Sequence, residues 1–98
     1  MMVKMYKIKI KLNEEKLSKS KQKELYKKID KIFYDENIQK TLEDDARIYS
    51  SNHQQDYGHF WSAIFRLKSS QEISENLIEC TYWNGKDSED LIKNFINQ

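Results

Sequence analysis

The chain has 98 residues, enough for one small domain, so we expect residues 1–98 to fold as a single unit. An aromatic fraction of 12% and a formal net charge of only +1 exclude intrinsic disorder, which combines low hydrophobicity with high net charge. With only two glycines, Gly58 and Gly85, the chain cannot form the glycine-rich loops that bind nucleotide phosphates, and no cofactor is expected.

Residues 3–12 alternate apolar and lysine side chains, which predicts a β-strand. The apolar side chains would face the core, and Lys7, Lys9 and Lys11 would face water or a polar partner. This region has neither the continuous apolar stretch of a signal peptide nor that of a membrane span. The single cysteine, Cys80, does not imply an oxidising compartment. We therefore expect a cytoplasmic protein that does not enter a membrane.

A helix is predicted to begin at Ser18 or Ser20 and to end near Asn37, because a hydroxyl at the start can accept from free amides of the first turn. One face is apolar and comprises Leu25, Tyr26, Ile29, Ile32 and Phe33. The opposite face carries the lysines Lys19, Lys21, Lys23, Lys27, Lys28 and Lys31.

Charge is distributed unevenly along the chain. Residues 1–34 carry eleven lysines and four acidic residues, whereas residues 35–98 carry six basic and twelve acidic residues. Either the two halves attract each other within the fold, or a basic surface meets an acidic partner.

The middle of the chain is predicted to form a connector, a short strand and a turn. Residues 38–45 would be the connector, anchored by Leu42 and ending in three acids, and residues 52–58 would be the turn. The strand, residues 46–51, would place Ala46 and Ile48 on one face and Arg47 and Tyr49 on the other.

Residues 60–68 are the most apolar stretch of the sequence, and we interpret them as a central strand. One face would be wholly apolar and would consist of Trp61, Ala63, Phe65 and Leu67. The other face would be mixed and would consist of Phe60, Ser62, Ile64, Arg66 and Lys68.

After a polar turn at residues 69–75, residues 77–83 are predicted to form the last strand, with Cys80 in the core. A final helix would begin at Asp87 or Ser88 and bury an apolar stripe that includes Leu91 and Phe95. The predicted order is β-α-β-β-β-α. This order predicts an α+β fold, a single two-layer domain in which an antiparallel meander carries two helices on one face.

This arrangement leaves the second face of the sheet open. The alternation predicts that it presents Lys7, Lys9, Lys11, Arg47, Tyr49, Phe60, Ser62, Ile64, Arg66, Thr81 and Trp83. The binding residues expected to matter most are Lys7, Lys9, Arg47, Tyr49, Phe60, Ile64, Arg66 and Trp83. Aromatic rings among cations suit a protein partner, single-stranded nucleic acid or a sheet-to-sheet homodimer.

His53, Asp56 and His59 have the spacing H-x2-D-x2-H, which is a weak metal-binding signal without a fourth ligand. No metal is therefore expected. His59, His53 or Tyr49 could serve as the acid–base group of a small dimeric enzyme, but nothing in the sequence orients them.

The predicted element order resembles two fold families. The first is the ferredoxin-like βαββαβ layer, which includes RNA-recognition domains, although a third strand precedes the last helix here. The second is the αβββα double-stranded-RNA-binding fold preceded by an extra strand, although residues 87–98 are too acidic for its RNA-binding helix. Such likeness concerns the fold and does not transfer function.

The sequence thus favours a non-catalytic cytoplasmic binding module, an inhibitor, adaptor or accessory protein that binds a protein partner through the open sheet face and the lysine-rich helix. A nucleic-acid-binding module is the first alternative, and a small dimeric enzyme is the second.

Overall fold

The computed structural model of the protein describes residues 5–43 and 46–97. In these residues, five antiparallel strands form one open sheet with helices on one face, which confirms the α+β, two-layer prediction. Parts of three predictions lie outside the described residues: Val3 and Lys4 of the first strand, Asp44 and Asp45 of the acidic run, and Gln98 of the last helix.

The strands are β1 (Tyr6–Leu12), β2 (Gln39–Glu43), β3 (Arg47–Ser51), β4 (Leu77–Asn84) and β5 (Asp87–Asp90). The helices are α1 (Lys19–Asp35), α2 (Tyr57–Ser69) and α3 (Gln71–Ser74), with a 3₁₀ turn at Gln54–Asp56 and a π-helical turn at Ile92–Ile96. The strand order across the sheet is β2-β3-β1-β4-β5. Helix α1 connects β1 to β2, and α2 connects β3 to β4, which is the split β-α-β arrangement called ferredoxin-like, with β5 as an added edge strand.

The prediction that residues 60–68 form a strand is wrong, because this stretch lies within α2. Four of its side chains are completely buried, namely Phe60, Ala63, Ile64 and Leu67. Their spacing of i, i+3, i+4 and i+7 is the apolar stripe of a helix, whereas the strand interpretation required Phe65 to be buried. The side chain of Phe65 is 55% exposed. A helix here, together with β2 and β5, accounts for the difference between the predicted order and the observed one.

Two shorter predictions are corrected at the edges of the sheet. Residues 39–43, predicted as part of a connector, form β2, which pairs with β3 across an irregularity between Lys40 and Leu42. Residues 87–90, predicted as the start of a helix, form β5 instead. Asn84 and Asp87 are paired around a turn in which Gly85 has a φ of +67°. Glycine adopts this left-handed conformation without strain, so the chain reverses tightly and folds back on β4.

The prediction for α1 is confirmed, because the Ser18 side chain caps its first turn by accepting a hydrogen bond of 3.1 Å from the amide of Lys21. After the helix, Asn37 has a φ of 60°, a conformation that asparagine tolerates better than most residues. The buried face of α1 is the predicted set of Leu25, Tyr26, Ile29, Ile32 and Phe33.

Aromatic side chains join both long helices to the same face of the sheet. Phe33 of α1 stacks on Tyr49 of β3, with ring centroids 4.0 Å apart. Phe60 of α2 contacts Tyr6 of β1 at 5.6 Å and Tyr82 of β4 at 5.9 Å. These rings belong to one continuous hydrophobic core, so the sheet has one covered face and one open face.

Candidate binding surface

The open face of the sheet can be assigned from the strand register. Residues paired directly across antiparallel strands project to the same side, and Ile8 and Ile10 of β1 are fully buried. The intervening lysines of β1 therefore project from the other side. Their partners in the register are Ile48 and Ser50 on β3, and Glu79, Thr81 and Trp83 on β4.

Lys7, Lys9 and Lys11 form a row along β1, the central strand. The Lys7 ammonium lies over the ring of Trp83, with its nitrogen 4.3 Å from the ring centroid. Lys9 forms an ion pair of 3.4 Å with Glu79. Both contacts are at the surface, where screening by water makes each worth no more than about 1 kcal/mol. The lysines are thus held in place by weak contacts within the chain, and contacts with a partner can replace them.

Aliphatic side chains surround this row of lysines. Ile48 is partly exposed on β3, Leu42 is 45% exposed on β2, and Ile78 is 52% exposed beside the irregular pairing between β1 and β4. Protein interfaces combine an apolar centre with a polar rim, so this surface offers both components. We use the name lysine-row face for Lys7, Lys9, Lys11, Ile48, Glu79, Thr81 and Trp83.

Of the predicted binding residues, Lys7, Lys9 and Trp83 lie on the lysine-row face, as do Lys11 and Thr81. Tyr49 and Arg47 do not, because they pair with Ile8 and Ile10 and so project toward the helices. Tyr49 is 1% exposed, and its hydroxyl donates a hydrogen bond to Asp30 of α1. The alternation predicted for β3 was right, but its two faces were exchanged.

The guanidinium of Arg47 is enclosed on the covered side of the sheet. It lies 4.3 Å from the ring centroid of Tyr26 and forms ion pairs with Glu43 at 3.2 Å and Asp30 at 3.6 Å. Arg47 therefore joins β3 to α1 rather than facing solvent on the open side.

The predicted placement of Phe60, Ile64 and Arg66 on the open face is wrong, because all three lie on α2. Phe60 and Ile64 are completely buried in the core. Arg66 is at the helix surface, with its guanidinium 3.3 Å from the carboxylate of Asp35 in α1. Ser62, another member of the predicted face, donates to Glu36 at 2.9 Å.

The lysine-rich helix is partly neutralised by other parts of the chain. Lys21 and Lys28 both form ion pairs with Glu72 of α3, the second at 3.1 Å. These hydrogen bonds hold the pKa of the Glu72 carboxyl below its usual range. The basic first half of the chain thus attracts the acidic second half, as one of the two sequence interpretations expected.

The spacing of His53, Asp56 and His59 does not produce a metal centre. Asp56 accepts a hydrogen bond from Ser51, and His59 Nδ1 lies 2.9 Å from Glu36. Within residues 5–43 and 46–97, no three His, Cys, Asp or Glu side chains come together to hold a metal ion.

Tyr49, one of the groups considered for acid–base chemistry, and Cys80 are both enclosed in the core. Burial, followed by the hydrogen bond to Asp30, raises the pKa of Tyr49, so its hydroxyl stays protonated near neutral pH. Cys80 is a core residue as predicted, and burial raises the pKa of its thiol to about 12. A buried neutral thiol is a poor nucleophile.

Sequence reasoning missed Ile48, Leu42, Ile78 and Glu79 as members or neighbours of this surface. The pairing of β1 with β3 would have revealed Ile48, since every residue opposite a lysine of β1 must share its face. Glu79 could have been found from the alternation along β4, which places it on the side of Trp83. The pairing rule can be applied only when the two neighbours of β1 in the sheet are known, and the sequence does not show that β1 is the central strand.

No protein-family model, no curated protein and no solved structure matches this chain. Among the described residues, no helix combines the length and the apolarity that crossing a bilayer requires.

Proposed function

We propose that this protein is a non-catalytic binding module whose lysine-row face binds the acidic surface of a protein partner. The observation that carries the proposal is a row of three lysines on the central strand of an open sheet, bordered by partly exposed aliphatic side chains. A partner that offers carboxylates beside apolar side chains would complement both features.

A protein partner is favoured over single-stranded nucleic acid by the number of available rings. Stacking proteins present several aromatic side chains to successive bases. Tyr49 and Phe60 are buried, which leaves Trp83 as the aromatic residue among the described strand residues of the open face, and Lys7 already covers its ring. Lysines without a platform of rings suit carboxylates better than bases.

A second copy of the chain is a less favourable occupant. Two sheets packed through this face would bring two lysine rows together, and like charges in a dehydrated interface repel each other strongly. We therefore propose a heterologous partner.

We also place the protein in the cytoplasm, because its cysteine, Cys80, is a buried thiol.

The proposal is tested with the double variant Lys7→Glu/Lys9→Glu, used as bait for affinity capture next to the wild type. The matched control is Lys19→Glu/Lys23→Glu, which makes the same change in net charge on the exposed surface of α1. We expect one protein to be captured by the wild type and by the control but not by the lysine-row variant. Its capture should survive nuclease treatment and should weaken as salt increases.

Two further measurements identify the contact. The captured protein, once purified, should perturb backbone amide resonances of β1 and β4 in the labelled wild type and should bind the lysine-row variant at least roughly tenfold more weakly. Capture of nucleic acid that is lost with nuclease would replace this proposal with the nucleic-acid alternative. Equal capture by both variants would show that the lysine-row face is not the binding surface.

A further inference from the structure

A second candidate site lies on the other side of the molecule, between α2 and the hairpin of β4 and β5. It is a groove of about 330 Å³ lined by Tyr57, Trp61, Tyr82, Asn84, Asp87, Ser88 and Glu89. This volume is at the lower end of the range for small-molecule sites. We call it the hairpin groove.

The register of the hairpin explains why these side chains meet. Tyr82 pairs with Glu89, and Asn84 pairs with Asp87, so all four project to the helix side of the sheet. Tyr57 and Trp61 are one turn apart on α2 and face them, and the Trp61 ring contacts the Tyr82 ring edge-on at 5.6 Å. The groove is therefore walled by rings on one side and by carboxylates on the other.

The charges of the groove are not neutralised by the chain itself. Within the described residues, neither Asp87 nor Glu89 forms an ion pair. Lys86 lies in the turn between the two strands, is exposed, and does not line the groove. Two carboxylates next to aromatic rings attract a cation, because the face of an aromatic ring carries partial negative charge.

Two residues that line the groove also carry buried polar atoms without a hydrogen-bond partner in the described part of the chain. The hydroxyl of Tyr82 and the indole N–H of Trp61 are buried and have no hydrogen-bond partner among the described residues. Tyr82 is only 4% exposed, and burial raises its pKa, so it remains a neutral hydroxyl.

We propose that the hairpin groove binds an alkylammonium group. Asp87 and Glu89 would hold the ammonium, and the rings of Tyr57 and Trp61 would contact its methylene or methyl groups. Two sources share this chemistry: a free alkylamine, and a lysine side chain of a protein. This site is independent of the lysine-row face and goes beyond the function proposed for it.

The test uses the variant Trp83→Phe, which leaves Trp61 as the remaining tryptophan of the two in the chain. The fluorescence and the indole N–H resonance of Trp61 are followed while choline or Nα-acetyl-lysine amide is added at constant ionic strength. We expect a saturable change with at least one of these probes. Saturation by the lysine derivative alone would support a protein-borne lysine, and saturation by choline as well would support a free amine.

A matched pair of double variants in the same background locates the site. Asp87→Asn/Glu89→Gln removes the carboxylates of the groove, and Glu14→Gln/Glu15→Gln makes the same charge change in an exposed loop. We expect the first to weaken binding by roughly tenfold or more and the second by less than about twofold. If the first variant does not fold, the single variant Glu89→Gln is used in its place. The absence of saturation with both probes, or equal affinity in both variants, would overturn the proposal.

Discussion

The two faces of the sheet differ most clearly along β1, whose alternate side chains have opposite surroundings. Ile8 and Ile10 are completely buried beneath helices, whereas Lys7 and Lys9 are partly exposed on the face without a helix. The two sets belong to one strand and share its hydrogen bonds, so the difference comes from what packs above each face. A substitution on the covered face should therefore change stability, and one on the open face should mainly change binding.

The largest effect is expected for Phe60→Ala on the covered side. The Phe60 ring is fully buried and contacts the rings of Tyr6 and Tyr82, so its removal leaves a cavity in the centre of the core. We expect the free energy of unfolding to fall by about 3–5 kcal/mol, measured by urea denaturation. A loss below about 1 kcal/mol would contradict the burial of the Phe60 ring.

A smaller loss is expected for Tyr49→Phe, which keeps the ring stacked on Phe33 but removes the hydrogen bond to Asp30. We expect a loss of about 1–3 kcal/mol at pH 7, because the acceptor is charged. The raised pKa of Tyr49 adds a pH dependence, since its contribution is complete below the ordinary tyrosine pKa of about 10 and declines as the pH rises above it.

The wild type should accordingly lose stability more steeply than Tyr49→Phe above about pH 10, in urea titrations at several pH values. Parallel curves for the two proteins would show that the Tyr49 hydroxyl is not enclosed.

A third comparison concerns Glu36, which connects the end of α1 to α2 through His59 Nδ1 and the Ser62 hydroxyl, both at 2.9 Å. The hydrogen bond from His59 holds the pKa of Glu36 below its usual range. We expect Glu36→Gln to lose no more than about 1 kcal/mol at pH 6, where the pair is near the surface and screened.

The sign of the pH dependence follows from the lowered pKa. The contribution of Glu36 is present above the ordinary glutamate pKa of about 4.3 and disappears as the pH falls below it. The wild type and Glu36→Gln should therefore become equally stable in acid, which thermal unfolding between pH 3 and pH 6 would reveal. A difference that persists at the acid end would assign the effect to packing.

The smallest effect on stability is expected for Trp83→Ala on the lysine-row face. It removes the ring beneath Lys7 but leaves the buried core intact, so the loss should be about 1 kcal/mol or less. Affinity for the proposed partner should fall much further than this. Measuring Trp83→Ala and Phe60→Ala side by side compares the two faces directly. A severe loss of stability for Trp83→Ala would show that the open face is needed for folding.

The largest error of the sequence interpretation has a clear physical origin. Residues 60–68 are densely apolar, and such a stretch fits either a buried strand or a buried helix. The exposed position of Phe65 and the stripe formed by Phe60, Ile64 and Leu67 distinguish the two, but burial is a property of the folded chain. A strand at this stretch places Phe60, Ile64 and Arg66 on the open face, so the error in the element carries over to these three residues.

The sequence by itself determined the elements whose pattern has one interpretation. The alternation in β1, the capped amphipathic helix α1 and the alternation in β4 each specify local geometry through nearest neighbours, and together they required an α+β fold with a lysine-bearing sheet face. Lys7, Lys9 and Trp83 could be placed on one side from these patterns alone.

Only the tertiary structure decided which strands are neighbours and which face of β3 the helices cover. The position of β1 between β3 and β4 brings Ile48 and Glu79 beside the lysines and turns Tyr49 and Arg47 toward α1. It also brings Tyr57 and Trp61 against a hairpin more than twenty residues away. These relations depend on packing between distant segments, and the period of a single segment does not encode them.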